Sequence, residues 1–193
     1  MPLTPPVERE HTHTRVVTCT GHKRSDGLWD IEGRIVDTKP YRFPNRDRGG
    51  WIEADEALHD MSIRLTVDAD LTVIDAEAII DASPYHYCKS IDTVAKQLVG
   101  LRIAPGWTQK SKAAMGGSLG CTHLTELLGP IATTAFQTMA KERLLQPGPS
   151  TRSASSNRKG MKSPFIDTCH AMAADSPVVK LHWPDQFRPK DAS

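Results

Sequence analysis

The chain reads as an α+β protein: an antiparallel sheet of hairpins packed by helices from its C-terminal half. Three observations predict this. The stretch Met61 to Val67 alternates apolar with polar residues, as a half-buried antiparallel strand does. A β-branched segment, Arg15 to Thr20, is joined by an Asp26–Gly27 turn to a second extended run, Leu28 to Asp37. Helical spacing of apolar residues appears only after residue 88.

The elements follow in order. Residues 1–12 are Pro-rich and read as a disordered arm, and 13–145 as the α+β domain. Strands 15–20 and 28–37 come first, although the second alternates cleanly only from Ile31 through Gly33 to Ile35, which leaves its register open. Residues 39–57 read as a loop punctuated by Pro40, Pro44 and Gly49–Gly50 and carrying Arg42, Arg46 and Arg48. The hairpin of Met61–Val67 and Thr72–Ile80 turns at Asp68-Ala69-Asp70 and ends at Ser83–Pro84. A helix is expected from about Cys88 to Val99, with Ile91, Val94, Ala95 and Leu98 on one face and Gly100 closing it. After Pro105-Gly106-Trp107, the run Met115 to Gly120 leads into a helix that Gly129–Pro130 should interrupt or kink. Residues 146–163 have the composition of a flexible linker, and 164–193 an apolar segment that would dock back on the domain.

Composition sets outer limits. With 24 basic and 23 acidic residues, the net charge of +1 offers no electrostatic argument for nucleic acid or an anionic membrane. No apolar run approaches the ~20 residues of a membrane helix, and the N-terminus lacks the features of a signal peptide, so a cytoplasmic location is expected. Four scattered cysteines, with no C-x-x-C, form neither a disulfide framework nor a zinc knuckle. No P-loop, dinucleotide fingerprint or Ser-His-Asp order is present.

The chemistry-bearing residues concentrate at a few points. Cys121 opens a helix, where unpaired N–H groups and the helix dipole favour a thiolate; Thr122 suits the N-cap, and His123 stands two residues on. The glycines before it either admit a bound group or make a tight loop around an inward-packed cysteine. His59 precedes the hairpin, with Asp60 beside it, a pair that reads either as a polar strand start or as a ligand with its orienting partner, and Cys88 follows its return strand. The hairpin thus brings His59 and Cys88 to one end of the sheet, and Cys121 would complete a three-point metal site. Such soft donors suit zinc, iron or an iron–sulfur cluster. Cys169 and His170 could add a fourth ligand or a resolving thiol, or simply pack. Cys19 alternates within a strand and reads as core, and His11 and His13 on the frayed N-terminus read as bystanders, although His13 could reach the sheet.

Two resemblances enter on these residues. Leu58 to Leu65, Val73-Ile74-Asp75-Ala76, the Cys88 helix and Gly120 to Glu126 resemble NifU/IscU-type iron–sulfur scaffolds over about residues 58 to 140. That resemblance implies a NifU-like core with ligands at a strand end and a helix start. Here His59 stands in place of the first cysteine, and a histidine follows Cys121 instead of preceding it, a set that would hold a mononuclear metal. The blocks Arg24 to Glu32, Cys121-Thr122-His123-Leu124 with Gly120, and Asp167 to Ala171 resemble a bacterial family known only as a domain of unknown function. It implies that these blocks belong together and carries no activity.

The leading expectation is a metal- or iron–sulfur-binding protein serving a small molecule or a metal-delivery partner, with homo-oligomerisation left open. The alternative is a small metal- or thiolate-dependent enzyme, with Cys121 as ligand or nucleophile and His123 or His59 as base. Trp29, Trp107 and the Arg42/Arg46/Arg48 loop would then line a pocket for an anionic substrate, aromatic or not.

Overall fold

The computed structural model describes residues 3–145 and 166–189. Residues 3–12 carry neither helix nor strand. The linker expected over 146–163 lies outside the described residues. The chain divides into two compact units, Met1–Lys141 and Glu142–Ser193.

In the first unit, β1 (Thr14–Lys23), β2 (Trp29–Thr38), β5 (His59–Val67) and β6 (Val73–Ala82) form one antiparallel sheet in the order β1-β2-β5-β6. Between β2 and β5 the chain makes a separate small hairpin of β3 (Phe43–Asn45) and β4 (Gly50–Ile52). Asp26–Gly27 turns as its sequence requires, with Gly27 at φ 87°.

Strand alternation fixes which face is buried. On β2 the inward row is Trp29, Ile31, Gly33, Ile35 and Asp37, which settles the register left open by the sequence. On β5 it is His59, Met61, Ile63, Leu65 and Val67, and these rows meet as strand partners, Ile31 opposite Leu65 and Asp37 opposite His59. The other face carries polar side chains, with Arg64 between Glu32 and Glu77 and Arg34 on Asp60, alongside the exposed Val16 and Ile79.

The inner face is covered by helices. A 3-10 helix spans His86–Leu98 and buries Val94, Ala95 and Leu98. It begins two residues before the expected helix and winds more tightly, in a stretch where Ser90, Asp92, Thr93 and Val94 all disfavour an α-helix. Helix α1 (Trp107–Met115) follows, then α2 (Thr122–Thr138), which lies across β1 and β2.

Helix α2 runs through Gly129–Pro130 without interruption. Its apolar stripe of Leu124, Leu127, Leu128, Ile131 and Ala135 is buried on both sides of the proline, so packing holds together what local propensity would break. Gly21 and Gly33 let the helix come this close. A Cβ at Gly33 would stand 2.7 Å from Ile131 Cδ1, and one at Gly21 2.7 Å from Thr138 Cβ. Cys19, opposite Gly33, is half-buried against the core. Burial pushes its thiol up in pKa, against a weaker lowering contact from Thr134.

Trp29 and Trp107, expected to line a pocket, are core residues, 6% and 5% exposed. Each occupies an inward position, and Trp107 Nε1 donates to the Leu128 carbonyl at 3.0 Å. In the second unit, a short helix, Pro177–His182, is capped by Ser176, whose hydroxyl accepts from Val179 N–H. No helix among the described residues is long and apolar enough to cross a membrane.

Candidate functional site

One rung of the sheet carries the site. Arg15 on β1 is the strand partner of Asp37 on β2, which in turn partners His59 on β5. Partnered residues on antiparallel strands project to the same face, so the three side chains line up at the inner end of the core rows. The first turn of α2 comes down on this rung with His123 and Glu126, three residues apart and therefore neighbours on one helix face.

Asp37 is the hub and is 1% exposed. Arg15 grips it with a fork, Nε donating to Oδ1 at 2.7 Å and Nη2 to Oδ2 at 2.8 Å. The remaining nitrogen, Nη1, donates to Glu126 Oε2 at 2.6 Å. His59 Nδ1 lies 2.9 Å from Asp37 Oδ2, His123 Nε2 lies 3.9 Å from the same oxygen, and His13 Nε2 lies 3.3 Å from Oδ1. The His59 and His123 rings face each other with centroids 3.8 Å apart and planes inclined by 33°.

Burial alone would raise the Asp37 carboxyl, but the Arg15 fork, helped by His59, overrides it and holds the carboxyl at about 2. Asp37 also raises Arg15 further. Both histidines are pushed below the usual imidazole range, each chiefly by burial. His123 adds to this at His59, and Arg15 at His123, while Asp37 opposes it at both. Burial outweighs the carboxylate at both rings, so Asp37 does not hold the imidazoles protonated. Both rings therefore present lone pairs near neutral pH, the form that binds a metal.

Asp37, His59 and His123 each offer one ligand atom, and these atoms lie within 4.8 Å of one another. Cys121 borders the group from the N-cap position of α2, a place expected for Thr122; its side chain makes no cap bond. Its Sγ lies 3.7 Å from Met61 Sδ and 3.9 Å from His123 Nδ1. The glycine before it has a packing reason: a Cβ at Gly120 would stand 2.1 Å from the Met115 carbonyl oxygen.

Within the first unit the expected residues separate into those that meet and those that do not. His59, Cys121 and His123 come to one place. Cys88 lies early in the 3-10 helix His86–Leu98, outside the Asp37 group. Asp60 is not the partner of His59; it pairs with Arg34 on the opposite face, because neighbours along a strand point to opposite sides. Cys169 and His170 belong to the second unit, where Cys169 is exposed and precedes a single 3-10 turn, His170–Met172. Arg42 stacks over Trp51 and pairs with Glu53, while Arg48 pairs with Glu56. The groove on the open face, between Thr18, Arg34, Ser62 and Ile79, is on the other side of the sheet from the Asp37 group.

Asp37 and Arg15 went unnoticed in the sequence, though a signal existed. Asp37 stands in phase with Trp29, Ile31, Gly33 and Ile35, and a carboxylate in a core-facing row requires a buried partner.

No curated protein and no solved structure matches the chain. Residues 13–137, which contain the whole rung and the start of α2, match a family described as "Protein of unknown function (DUF2889)". The chain belongs to that family.

Proposed function

We propose that this domain binds one divalent transition-metal ion, zinc or iron(II), through Asp37, His59 and His123. The observation that carries the reading is the convergence of one carboxylate and two neutral imidazoles from three separate elements. Two ligands of a tetrahedral ion with ~2.0 Å bonds stand about 3.3 Å apart. The two histidine nitrogens at 2.9 and 3.9 Å from Asp37 Oδ2 straddle that separation. A carboxylate has about four acceptor positions, so the Arg15 fork can orient Asp37 while leaving Oδ2 a further lone pair. This is the way outer partners commonly hold a ligand.

The donor set favours a mononuclear ion over an iron–sulfur cluster. Clusters are held mainly by thiolates, and Cys121 is the one cysteine of the expected His59/Cys88/Cys121 set that stands beside this group. The test is calorimetric titration of chelator-stripped protein with zinc. One ion per chain is expected, with binding weakened at least about tenfold in Asp37→Asn, His59→Ala and His123→Ala. Absence of stoichiometric uptake, or unchanged affinity in all three variants, would overturn the reading.

A second reading rests on the 2.9 Å contact between His59 Nδ1 and Asp37. A carboxylate on Nδ1 fixes the tautomer with Nε2 as base, the arrangement of a general-base histidine. In that reading the domain acts on a small molecule, with Cys121 beside His123 as the nucleophile. Loss of thiol alkylation at Cys121 in His123→Ala, with no metal requirement, would favour it over the first.

A further inference from the structure

We propose that Met61, Cys121 and His123 form a second binding site, suited to a soft monovalent ion, copper(I). It goes beyond the divalent-ion reading. The two sites share only the His123 ring, through different nitrogens: Nε2 faces Asp37 and Nδ1 faces Cys121.

The spacing carries the case. In a trigonal ion with metal–sulfur bonds of ~2.3 Å and metal–nitrogen bonds of ~2.0 Å, two sulfurs stand about 4.0 Å apart and a sulfur and a nitrogen about 3.7 Å, each within about 0.3 Å of the spacing around Cys121. Cys121 Sγ is 3.7 Å from Met61 Sδ and 3.9 Å from His123 Nδ1. Thiolate and thioether are the donors that select copper(I).

The two elements supply their donors in matching pairs. On β5, His59 is followed two residues later by Met61 on the same face. At the start of α2, Cys121 is followed two residues later by His123. Nitrogen and oxygen donors thereby gather around Asp37, and sulfur donors around Cys121. Met61 is 1% exposed in a row otherwise continued by Ile63, Leu65 and Val67, so leucine would fill its place by packing alone. A thiolate with a monovalent cation is neutral overall, which lowers the cost of placing the ion against the core.

Binding breaks the Cys121 S–H bond and forms an S–Cu bond, and the proton leaves to solvent. Met61 contributes a lone pair and His123 one from Nδ1 with its proton on Nε2, so copper(I) and the divalent ion use His123 in turn, and no electron is transferred.

The experiment uses the full chain, reduced and anaerobic, titrated with copper(I) against the chromogenic chelator bathocuproine disulfonate, with zinc titrated in parallel. One copper(I) per chain is expected. Met61→Leu and Cys121→Ser should each weaken copper(I) by about tenfold or more. Met61→Leu should keep its zinc affinity, whereas Asp37→Asn should lose zinc and keep copper(I). Cys88→Ser and Cys169→Ser should leave copper(I) unchanged. An unchanged copper(I) affinity in Met61→Leu, or its loss in Cys88→Ser or Cys169→Ser, overturns the proposal. Should Cys121→Ser fail to unfold cooperatively, Met61→Leu decides the matter, since it conserves core volume. Copper(I) binding without zinc binding would sink the divalent-ion reading alone.

Discussion

Replacing Asp37 with asparagine removes the charge on which Arg15 and His59 converge while preserving the side-chain shape. The folded carboxyl sits at about 2 against an ordinary 3.8. At about 1.4 kcal/mol per tenfold change in proton affinity, the native environment favours the ionised form by about 2 kcal/mol. The asparagine amide would turn one donor toward the Arg15 fork and lose an arm of it. Arg15, 36% exposed, can recover part of that loss by hydration. The expected destabilisation at neutral pH is therefore about 2 to 4 kcal/mol. The charge-dependent part has a defined pH window. A depressed carboxyl contributes stability that is present above its unfolded value and is lost as pH falls toward its folded one. The gap between wild type and Asp37→Asn should thus hold above about pH 4 and narrow by about 2 kcal/mol on the way to pH 2. Urea unfolding of both proteins in chelator, at a series of pH values, measures it, and contributions from other carboxylates cancel in the difference. A gap that stays constant from pH 5 to 2 would refute the assignment of Asp37 as the buried, ion-paired hub.

The histidines give the complementary signature. Their folded pKa values lie below 6.5, so the metal-free protein should keep full stability above pH 6.5 and lose it as pH falls below, and His59→Gln or His123→Gln should flatten that slope in melting experiments. Gly21→Ala places a Cβ 2.7 Å from Thr138 Cβ and should cost about 1–3 kcal/mol, read as a lower Tm, because helix α2 must move off the sheet. Asp60→Asn, on the opposite face with Arg34, should leave zinc affinity unchanged in calorimetry; a loss comparable to that of Asp37→Asn would return Asp60 to the site.

The sheet was readable because its periodicity is strong. The alternation Met61-Ser62-Ile63-Arg64-Leu65 can be accommodated only by a strand with one buried face, and the observed hairpin follows it. β3 and β4, at three residues each, are too short to display a period, so they read as loop. The uninterrupted α2 is a case of tertiary packing overriding local propensity, since Leu128 and Ile131 anchor both sides of Pro130. For the site, the sequence pointed to residue types known as metal ligands and to their nearest neighbours along the chain. That picked out His59, Cys121 and His123 as candidates, which the fold places close together, but paired His59 with Asp60. The true partner, Asp37, is 22 positions away and becomes a neighbour only through the β2–β5 register. Cys88 was placed by the hairpin argument alone, which fixes an end of the sheet and not a face.

The proposed ion is shared by Asp37, His59 and His123. The most direct measurement is the zinc K-edge absorption spectrum of the full chain loaded with one equivalent of zinc. A nitrogen- and oxygen-dominated shell with the outer scattering of two imidazoles is expected, reduced to one imidazole in His123→Ala. A shell of sulfur donors, or a wild-type spectrum unchanged by that substitution, would contradict it.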